Sequence, residues 1–284
     1  FRPVMLANPL DEAQLDRLDP ADWLAEWKWD GVRVQAVVRG GERRLYTRTG
    51  DDISQSFPDV AEALDFEGVV DGELLIRAEG GDGLDVAPFA VLQKRLGRKR
   101  PGRKLMTEAP AFVRAYDLLF EGGEDLRGLP FDERRRRLEA WARTAPSVFD
   151  LSPLTPFGSW EELAALRAGA RAAGIEGLML KRKDAAYVAG RPQGPWFKWK
   201  RAPQTLDLVV MYAQRGHGRR SSFYSDFTFG AWTADGGLVP VGKAYSGYTD
   251  QELQALDRWV RQNATERFGP VRAVAPGLVF EVAF

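Results

Sequence analysis

Alternation of apolar and polar residues over short segments is the feature that most constrains the fold of this chain. Every second residue from Val32 to Val38 is apolar, and after the pair Gly40-Gly41 a strand pattern returns over residues 43–48. A period of two is typical of a β-strand with one buried face, and a glycine pair between two such segments indicates a hairpin. Residues 68–76 repeat the pattern, so the first third of the chain is predicted to be β-rich.

Helix signals occur in three places. Pro130 precedes a helical segment that includes the four arginines 134–137, which have acidic neighbours and are expected to be exposed. Two capping boxes mark the other helix starts, in which a hydroxyl and a carboxylate three residues apart bond the first turn. They are Ser159 with Glu162 and Thr249 with Glu252.

A new strand pattern begins at residue 206, which predicts a domain boundary near Pro203. From there on, strand-like segments alternate with short polar turns and one helix, a spacing that suits a small barrel. The prediction is an α+β protein with a first domain of antiparallel sheets and helices over residues 1–203. The barrel domain over residues 204–284 ends inside a strand pattern and is expected to be incomplete at its C-terminus.

Composition excludes several kinds of chemistry. The 284 residues contain no cysteine and one histidine, which removes disulfides, thiolate metal sites and cysteine nucleophiles and leaves little room for a Ser-His-Asp triad. Lysine plus arginine and aspartate plus glutamate both total 40, so any charged partner must be bound by local patches. No apolar run reaches the roughly 20 residues of a membrane span.

Five short segments carry the chemistry. Each alone is commonly a surface turn, a hairpin, a core strand or an edge strand, and their co-occurrence favours a functional site. Lysine becomes a nucleophile where neighbouring cations disfavour its charged form, and two separated carboxylates suit Mg²⁺ or Mn²⁺. A tyrosine ring offers a stacking face for a base, and further cations stabilise phosphate charge. The segments are EWKWDGVR with Glu26, Lys28 and Arg33, VVDGELL with Glu73, FVRAYDLL with Tyr116, IEGLMLK with Glu176, and WFKWK with Lys198 and Lys200.

In order, these segments resemble motifs I, III, IIIa, IV and V of the covalent nucleotidyltransferases, and most closely the ATP-dependent DNA ligases of bacteria and archaea. Motif I, K-x-D-G-x-R, is met at Lys28, Asp30, Gly31 and Arg33. The segment TRTGDDIS resembles the arginine segment that follows motif I, and residues 88–99 and 212–232 resemble this branch as well.

The resemblance implies an adenylation (nucleotidyltransferase) domain followed by an OB-fold barrel. It implies nick sealing in duplex DNA through a lysyl-AMP intermediate and a DNA-adenylate, in repair, replication or recombination. A monomer in the cytoplasm, associated with the nucleoid, is expected. The implied roles are AMP attachment at Lys28, adenine binding at Glu26 and Tyr116, nucleotide contact at Arg33, Arg48 and Glu73, metal binding at Glu176 and Glu73, and α-phosphate binding at Lys198 and Lys200.

Two departures from the family pattern are expected to matter. The arginine-containing motif VI has no counterpart before Phe284, and the N-terminal DNA-binding domain common in larger members is expected to be missing from this fragment. The chain is therefore expected to be the catalytic core of a longer ligase that reacts slowly with free ATP. The lack of the four cysteines of the NAD-dependent ligases favours ATP as the nucleotide.

Basic segments supply candidate DNA contacts. Seven cations fall within residues 94–104, and they suit either a solvated surface or contacts to the DNA backbone. Residues 214–220 at the start of the barrel allow the same two interpretations. The candidates are Arg48, Arg95, Lys99, Arg100, Arg219 and Arg220.

Two alternatives stay open at this point. An RNA ligase or a GTP-dependent capping-type nucleotidyltransferase would share Lys28, Glu73, Glu176 and Lys198, although residues 88–99 and the barrel segment favour a DNA ligase. A non-catalytic OB-fold nucleic-acid binder would retain the lysine motif without forming a covalent adduct.

Overall fold

The computed structural model describes residues 1–78, 85–170, 174–202 and 205–283, without the side chain of Arg219. It divides the chain into two compact units, residues 1–201 and residues 202–284. The domain boundary predicted between residues 203 and 204 falls on two residues outside this description. Within the described ranges, no helix is both long enough and apolar enough to cross a membrane.

The first unit contains two mainly antiparallel sheets and five α-helices in its described part. One sheet has the strand order β4-β3-β5-β6-β7 with β8 beside β6, and the other has the order β1-β11-β10-β2-β9. Among the strands of the described residues, only β1 with β11 and β6 with β8 pair in parallel. The strands are β1 (Asn8–Pro9), β2 (Trp23–Trp29), β3 (Val32–Arg39), β4 (Glu42–Thr47), β5 (Gly68–Ile76), β6 (Ala111–Glu121), β7 (Glu124–Asp125), β8 (Phe149–Leu151), β9 (Leu154–Thr155), β10 (Ile175–Arg182) and β11 (Trp196–Lys200). The helices are α1 (Pro58–Ala61), α2 (Phe89–Leu96), α3 (Arg103–Glu108), α4 (Phe131–Ala142) and α5 (Trp160–Gly169).

Each sheet buries one apolar face. In the first sheet Val34, Ala36 and Val38 of β3 are buried, as their alternation predicts, and they pack in a cluster that includes residues of α1, α2 and α4. In the second sheet, tryptophan and leucine side chains of β2, β10 and β11 pack against Trp160 and Leu163 of α5. Two smaller apolar clusters join the two sheets, one around Trp196 of β11 and one around Trp29 of β2.

The arginines of α4 differ from the expectation of exposure. Arg134 is fully buried and donates to both carboxylate oxygens of Asp117 over 2.8 and 2.9 Å, and Arg135 is buried as well. Arg136 is exposed, and Arg137 pairs with two glutamates near the surface. The prediction was wrong for the first two. Arg134 turns toward Asp117 of β6, and Arg135 is buried while it bonds Glu139 four residues further along the helix.

The second unit is a twisted sheet with one long helix. The strand order is β14-β13-β12-β16-β15, and β17 also pairs with β12. Strand β12 pairs with β17 over its first half and with β16 over its second half, so the sheet curls around the apolar cluster beneath α6. The elements are β12 (Thr205–Arg215), β13 (Tyr224–Trp232), β14 (Leu238–Ala244), α6 (Asp250–Asn263), β15 (Ala264–Phe268), β16 (Val271–Val274) and β17 (Val279–Ala283).

Candidate active site

A cavity of about 520 Å³ opens in the first unit where the two sheets meet. All nine residues predicted to serve the nucleotide or the metal line it, although they come from six separate stretches of the chain. They are Glu26, Lys28, Arg33, Arg48, Glu73, Tyr116, Glu176, Lys198 and Lys200.

Lys28 lies at the centre of an ion-pair cluster in this cavity. Its Nζ is 2.8 Å from Oε2 of Glu176, and the Nζ of Lys200 is 2.9 Å from the same oxygen. Gly177 of β10 is the register partner of Lys28 in β2 and of Lys200 in β11. These pairings bring both amines to the carboxylate of Glu176. Lys28 must leave this ion pair and lose a proton before its amine can attack an electrophile.

The local charges alter the acidity of the surrounding groups. Partial burial works to raise the pKa of Glu176, but hydrogen bonds from Lys28 and Lys200 outweigh it and leave the pKa below its ordinary value. Burial, followed by the charge of Glu176, raises the pKa of Asp30. Burial and the nearby cations, first among them Arg191, lower the pKa of Lys198. Concentrated positive charge of this kind suits a polyphosphate.

A second buried pair lies at another wall of the cavity. Glu26 and Lys181 are both about 2% exposed and form an ion pair. Apart from this ion pair, neither carboxylate oxygen of Glu26 accepts a hydrogen bond from the described residues. The Lys181 ammonium lies 4.6–4.8 Å from the ring centroids of Tyr116, Phe131 and Trp196. Oε2 of Glu26 is therefore an unsatisfied acceptor beside an aromatic wall, as a flat heterocycle with an amino group requires.

Glu73 and Arg33 face each other across β3 and β5. Burial raises the pKa of Glu73 to about 8, against the opposing charges of Lys28 and Arg33. The guanidinium of Arg33 donates to both oxygens of Asp71, to the Met5 carbonyl and to the Tyr187 hydroxyl. Arg33 lines the cavity, but most of its N–H donors are already bonded to protein groups. Its main contribution is therefore to hold the cavity wall in place, and few of its donors are available to a ligand.

The candidate DNA contacts fall into different environments. Arg48, Lys99 and Arg100 are exposed, and Arg220 is partly exposed and donates to the Tyr245 carbonyl. The side chain of Arg219 lies outside the described residues. Arg95 is completely buried and bonds both carboxylate oxygens of Asp59, so the prediction that it contacts DNA was wrong. A run of cations in sequence does not show which member of the run turns inward.

Sequence reasoning assigned no role to several residues of the cavity. Lys181 stands with Glu176 in the segment IEGLMLK, but no role was assigned to it. The two residues are five positions apart, which would place them on opposite faces of a regular strand. A register shift between Ile175 and Gly177 lets both reach the cavity. Arg191 and Met179 also line the cavity, and no motif marked them. The alternation of Met179 and Lys181 along β10 was the available signal.

A divalent cation fits this cavity only with help from a ligand. Among the described residues, no group of three or more His, Asp or Glu side chains is arranged to hold a metal ion. Mg²⁺ is commonly held by one or two carboxylates together with substrate phosphates and water, and Glu73 and Glu176 meet that smaller requirement. The donor set therefore fits Mg²⁺ or Mn²⁺ bound together with a nucleotide.

A lysine among carboxylates and cations, beside an aromatic wall with free acceptors, defines a nucleotidyltransferase-type site. Comparison with known proteins agrees with this class. The family described as ATP dependent DNA ligase domain matches residues 4–200. The chain belongs to this family.

Curated relatives cover the whole chain. A probable DNA ligase of Koribacter versatilis is 36% identical over 100% of this chain and 53% of its own length. A probable DNA ligase of Anaeromyxobacter sp. is 40% identical over 99% of this chain and 54% of its own length. The chain thus spans about half the length of these relatives.

Solved structures show the same fold. A mycobacterial DNA ligase D complexed with ATP and MES is 26% identical, with a TM-score of 0.59, over 99% of this chain and 88% of that one. A Lig E DNA ligase has a TM-score of 0.65 at 19% identity, over 90% of this chain and 88% of that one. The predicted α+β fold, with a nucleotidyltransferase domain followed by an OB-fold domain, is confirmed.

Proposed function

We propose that this chain seals nicks in duplex DNA with ATP as substrate. The amine of Lys28 attacks the α-phosphorus of ATP, a phosphoramidate bond to AMP forms and pyrophosphate leaves. AMP then passes to the 5′-phosphate at the nick, and the 3′-hydroxyl displaces AMP as the phosphodiester forms. The observation that carries this proposal is the placement of Lys28 in a cavity with Glu176, Lys198 and Lys200.

The positions of the side chains around the cavity support the following nucleotide-binding roles. The Oε2 oxygen of Glu26, which is not paired with Lys181, accepts from the amino group of adenine while the Tyr116 ring stacks on the base. Glu73 contacts the ribose, and its raised pKa allows it to donate as well as to accept. The α-phosphate lies against Lys198 and Lys200, and Arg48 approaches the phosphate from the exposed edge. Domain roles are part of the proposal, with adenylation assigned to residues 1–203 and the OB fold to residues 204–284.

Mg²⁺ or Mn²⁺ is proposed as the cofactor. Glu73 and Glu176 would hold the ion together with phosphate oxygens, and the ion would supply charge stabilisation to the phosphate under attack. Glu73 must lose its proton to act as a ligand, so ion binding should release a proton below pH 8. Chelation of divalent ions should abolish reaction with ATP.

Nicked duplex DNA is the proposed macromolecular substrate, and the nucleoid is the proposed place of action. The proposed contacts to the DNA backbone are the exposed cations Arg48, Lys99 and Arg100 of the first unit, together with Arg219 and Arg220 of the second. None of these proposed contacts is to a base edge, so recognition should depend on backbone and shape.

The proposal is tested by sealing of two substrates with the Lys28→Ala variant. An ordinary nick with ATP should remain open, because no lysyl-AMP forms. A pre-adenylated nick should still be sealed, because the last step needs no lysine nucleophile. Sealing of the ordinary nick by the variant would contradict the proposal, and transfer from GTP instead of ATP would favour the capping-type alternative.

A further inference from the structure

We propose that residues 88–109 form a basic lobe that holds the phosphate backbone of one duplex flank, several nucleotides away from the nick, and that buried Arg95 positions this lobe. The lobe comprises α2, α3 and the connection between them. The inference rests on the proposed function and extends it to a surface outside the catalytic cavity.

The exposed charge of the basic lobe is almost entirely positive. Glu108 is the only acidic residue of the segment, and its one basic partner is Lys104, 3.8 Å away. Among the described residues, the other five exposed cations have no carboxylate within ion-pair distance. The six exposed cations are Lys94, Arg98, Lys99, Arg100, Arg103 and Lys104.

Two surface arginines of α4 are paired with carboxylates, unlike those of the basic lobe. On α4, Arg136 pairs with Glu133, and Arg137 pairs with Glu121 and Glu124. Like charges crowded on a short segment repel one another unless an anion lies among them. In a chain of zero formal net charge, an unpaired positive cluster indicates a polyanionic partner.

Arg95 ties the basic lobe to the body of the unit. Its guanidinium bonds both oxygens of Asp59 at 2.7 and 2.8 Å and the Ala109 carbonyl at 2.8 Å, and it lies 4.7 Å from the centroid of the Phe57 ring. These partners belong to the start of α1 and to the end of α3. A bidentate pair with a fully buried guanidinium and a partly buried carboxylate holds α2 at a fixed orientation, so the exposed cations lose little conformational entropy when they bind.

The basic lobe continues a line of arginines that leads from the catalytic cavity. Arg48 lines the cavity at the end of β4, while Arg44 near the start of β4 shares a surface groove with Arg100. Four residues of strand place Arg44 and Arg48 about 13 Å apart. Each DNA strand carries one phosphate per ~3.4 Å of helix axis, so this separation corresponds to about four nucleotides. A duplex flank that leaves the nick along β4 therefore reaches the lobe.

The first test is the salt dependence of nick binding by a triple variant, Lys94→Gln, Arg98→Gln and Arg103→Gln. A matched control removes three exposed cations elsewhere in the unit, with Arg17→Gln, Arg136→Gln and Arg143→Gln. If all three lobe cations contact phosphates, the slope of log K against log salt should fall by about three in the lobe variant. The control should keep the slope of the unaltered chain. An unchanged slope in the lobe variant would overturn the inference.

Self-adenylation separates this inference from the proposed function. The reaction with ATP uses no DNA, so the lobe variant should form the Lys28 adduct at the rate of the unaltered chain. Lack of an adduct in the unaltered chain would refute the proposed function itself. A normal adduct together with an unchanged salt slope would refute the basic lobe alone.

A second test uses the length of the duplex. Nicked substrates are shortened to three base pairs on one side or the other, while the opposite flank stays long. The affinity difference between lobe variant and unaltered chain should vanish for one of the two truncations, because that flank no longer reaches the lobe. A difference that persists for both truncations would contradict the proposed path.

The positioning role of Arg95 is tested with Arg95→Gln, which keeps every exposed cation. Its salt slope should fall toward that of the triple variant, while the circular dichroism spectrum stays native. A slope equal to that of the unaltered chain in a folded Arg95→Gln protein would assign Arg95 to stability alone.

Discussion

Arginine side chains have opposite roles in the first unit according to their surroundings. Arg95 and Arg134 are buried and bonded to carboxylates, whereas Arg48 and Arg100 are exposed. A buried guanidinium is tolerated only when its charge and donors are matched, because desolvation of an unpaired ion costs several kcal/mol. The same residue type therefore serves the fold in one place and is available to phosphate in another.

Asp117→Asn tests the buried pair with Arg134. The change leaves a buried guanidinium without its counter-charge, so the free energy of unfolding should fall by about 3–5 kcal/mol. Arg136→Met on the exposed side of the same helix should change it by no more than about 0.5 kcal/mol. Urea titration followed by circular dichroism measures both, and equal small effects would contradict the assigned burial.

The raised pKa of Glu73 should make the stability of the fold depend on pH. Its pKa is about 8 in the fold against an ordinary value of 4.5, so between these values the folded state keeps a proton that the unfolded state loses. The free energy of unfolding should therefore fall as pH rises through this window, by at most about 1.4 kcal/mol per pH unit. Glu73→Gln should flatten the profile of the nucleotide-free protein between pH 6 and 8. An unchanged slope would contradict the raised pKa.

At the scale of elements, β10 determines the geometry of the cavity. Its register shift beside Gly177 brings Glu176 between Lys28 and Lys200. Gly177 has a φ of +149°, and a Cβ there would lie 2.3 Å from the Trp199 carbonyl oxygen. Only glycine allows this close approach of β10 to β11.

Gly177→Ala should therefore separate β10 from β11 and displace Lys198 and Lys200. A displacement of about 1 Å at a reacting centre costs on the order of 100-fold in rate, so self-adenylation should fall by about that factor. Gly122→Ala is the matched control, since Gly122 also has a positive φ but no atom near its missing Cβ. Both rates are measured in single-turnover reactions with ATP. If Gly177→Ala self-adenylates within twofold of the Gly122→Ala rate, the register between β10 and β11 is not needed for the reaction.

Helix starts could be predicted, because their signal lies within a few neighbouring residues of the sequence. The capping box of Thr249 and Glu252 is complete at the start of α6. At α5 the Ser159 hydroxyl accepts from the Glu162 amide as predicted, but the Glu162 carboxylate bonds the Gly158 amide instead of completing the box. The register and bulge between β2 and β10 were not predictable, because these two strands lie more than a hundred residues apart in sequence.

At the scale of the whole molecule, the order of motifs predicted the family, the fold class and the lining of the cavity. The features that could not be predicted depend on side-chain pairs between separate strands. The sequence showed neither the partner of Arg33, which is Asp71 from β5, nor the burial of Lys181 against Glu26. Such pairs form only when separate strands meet, so a single sequence without its contacts does not reveal them.

Attachment of AMP to Lys28 is measured as the mass of the protein after incubation with ATP and Mg²⁺. The protein should gain one adenylyl group, located by peptide mapping on Lys28, and Lys28→Arg, which keeps the charge but not the amine nucleophile, should gain none. Pyrophosphate should reverse the gain. An adduct on another lysine, an adduct that persists in Lys28→Arg, or no adduct in the unaltered chain would contradict the central claim that Lys28 carries AMP.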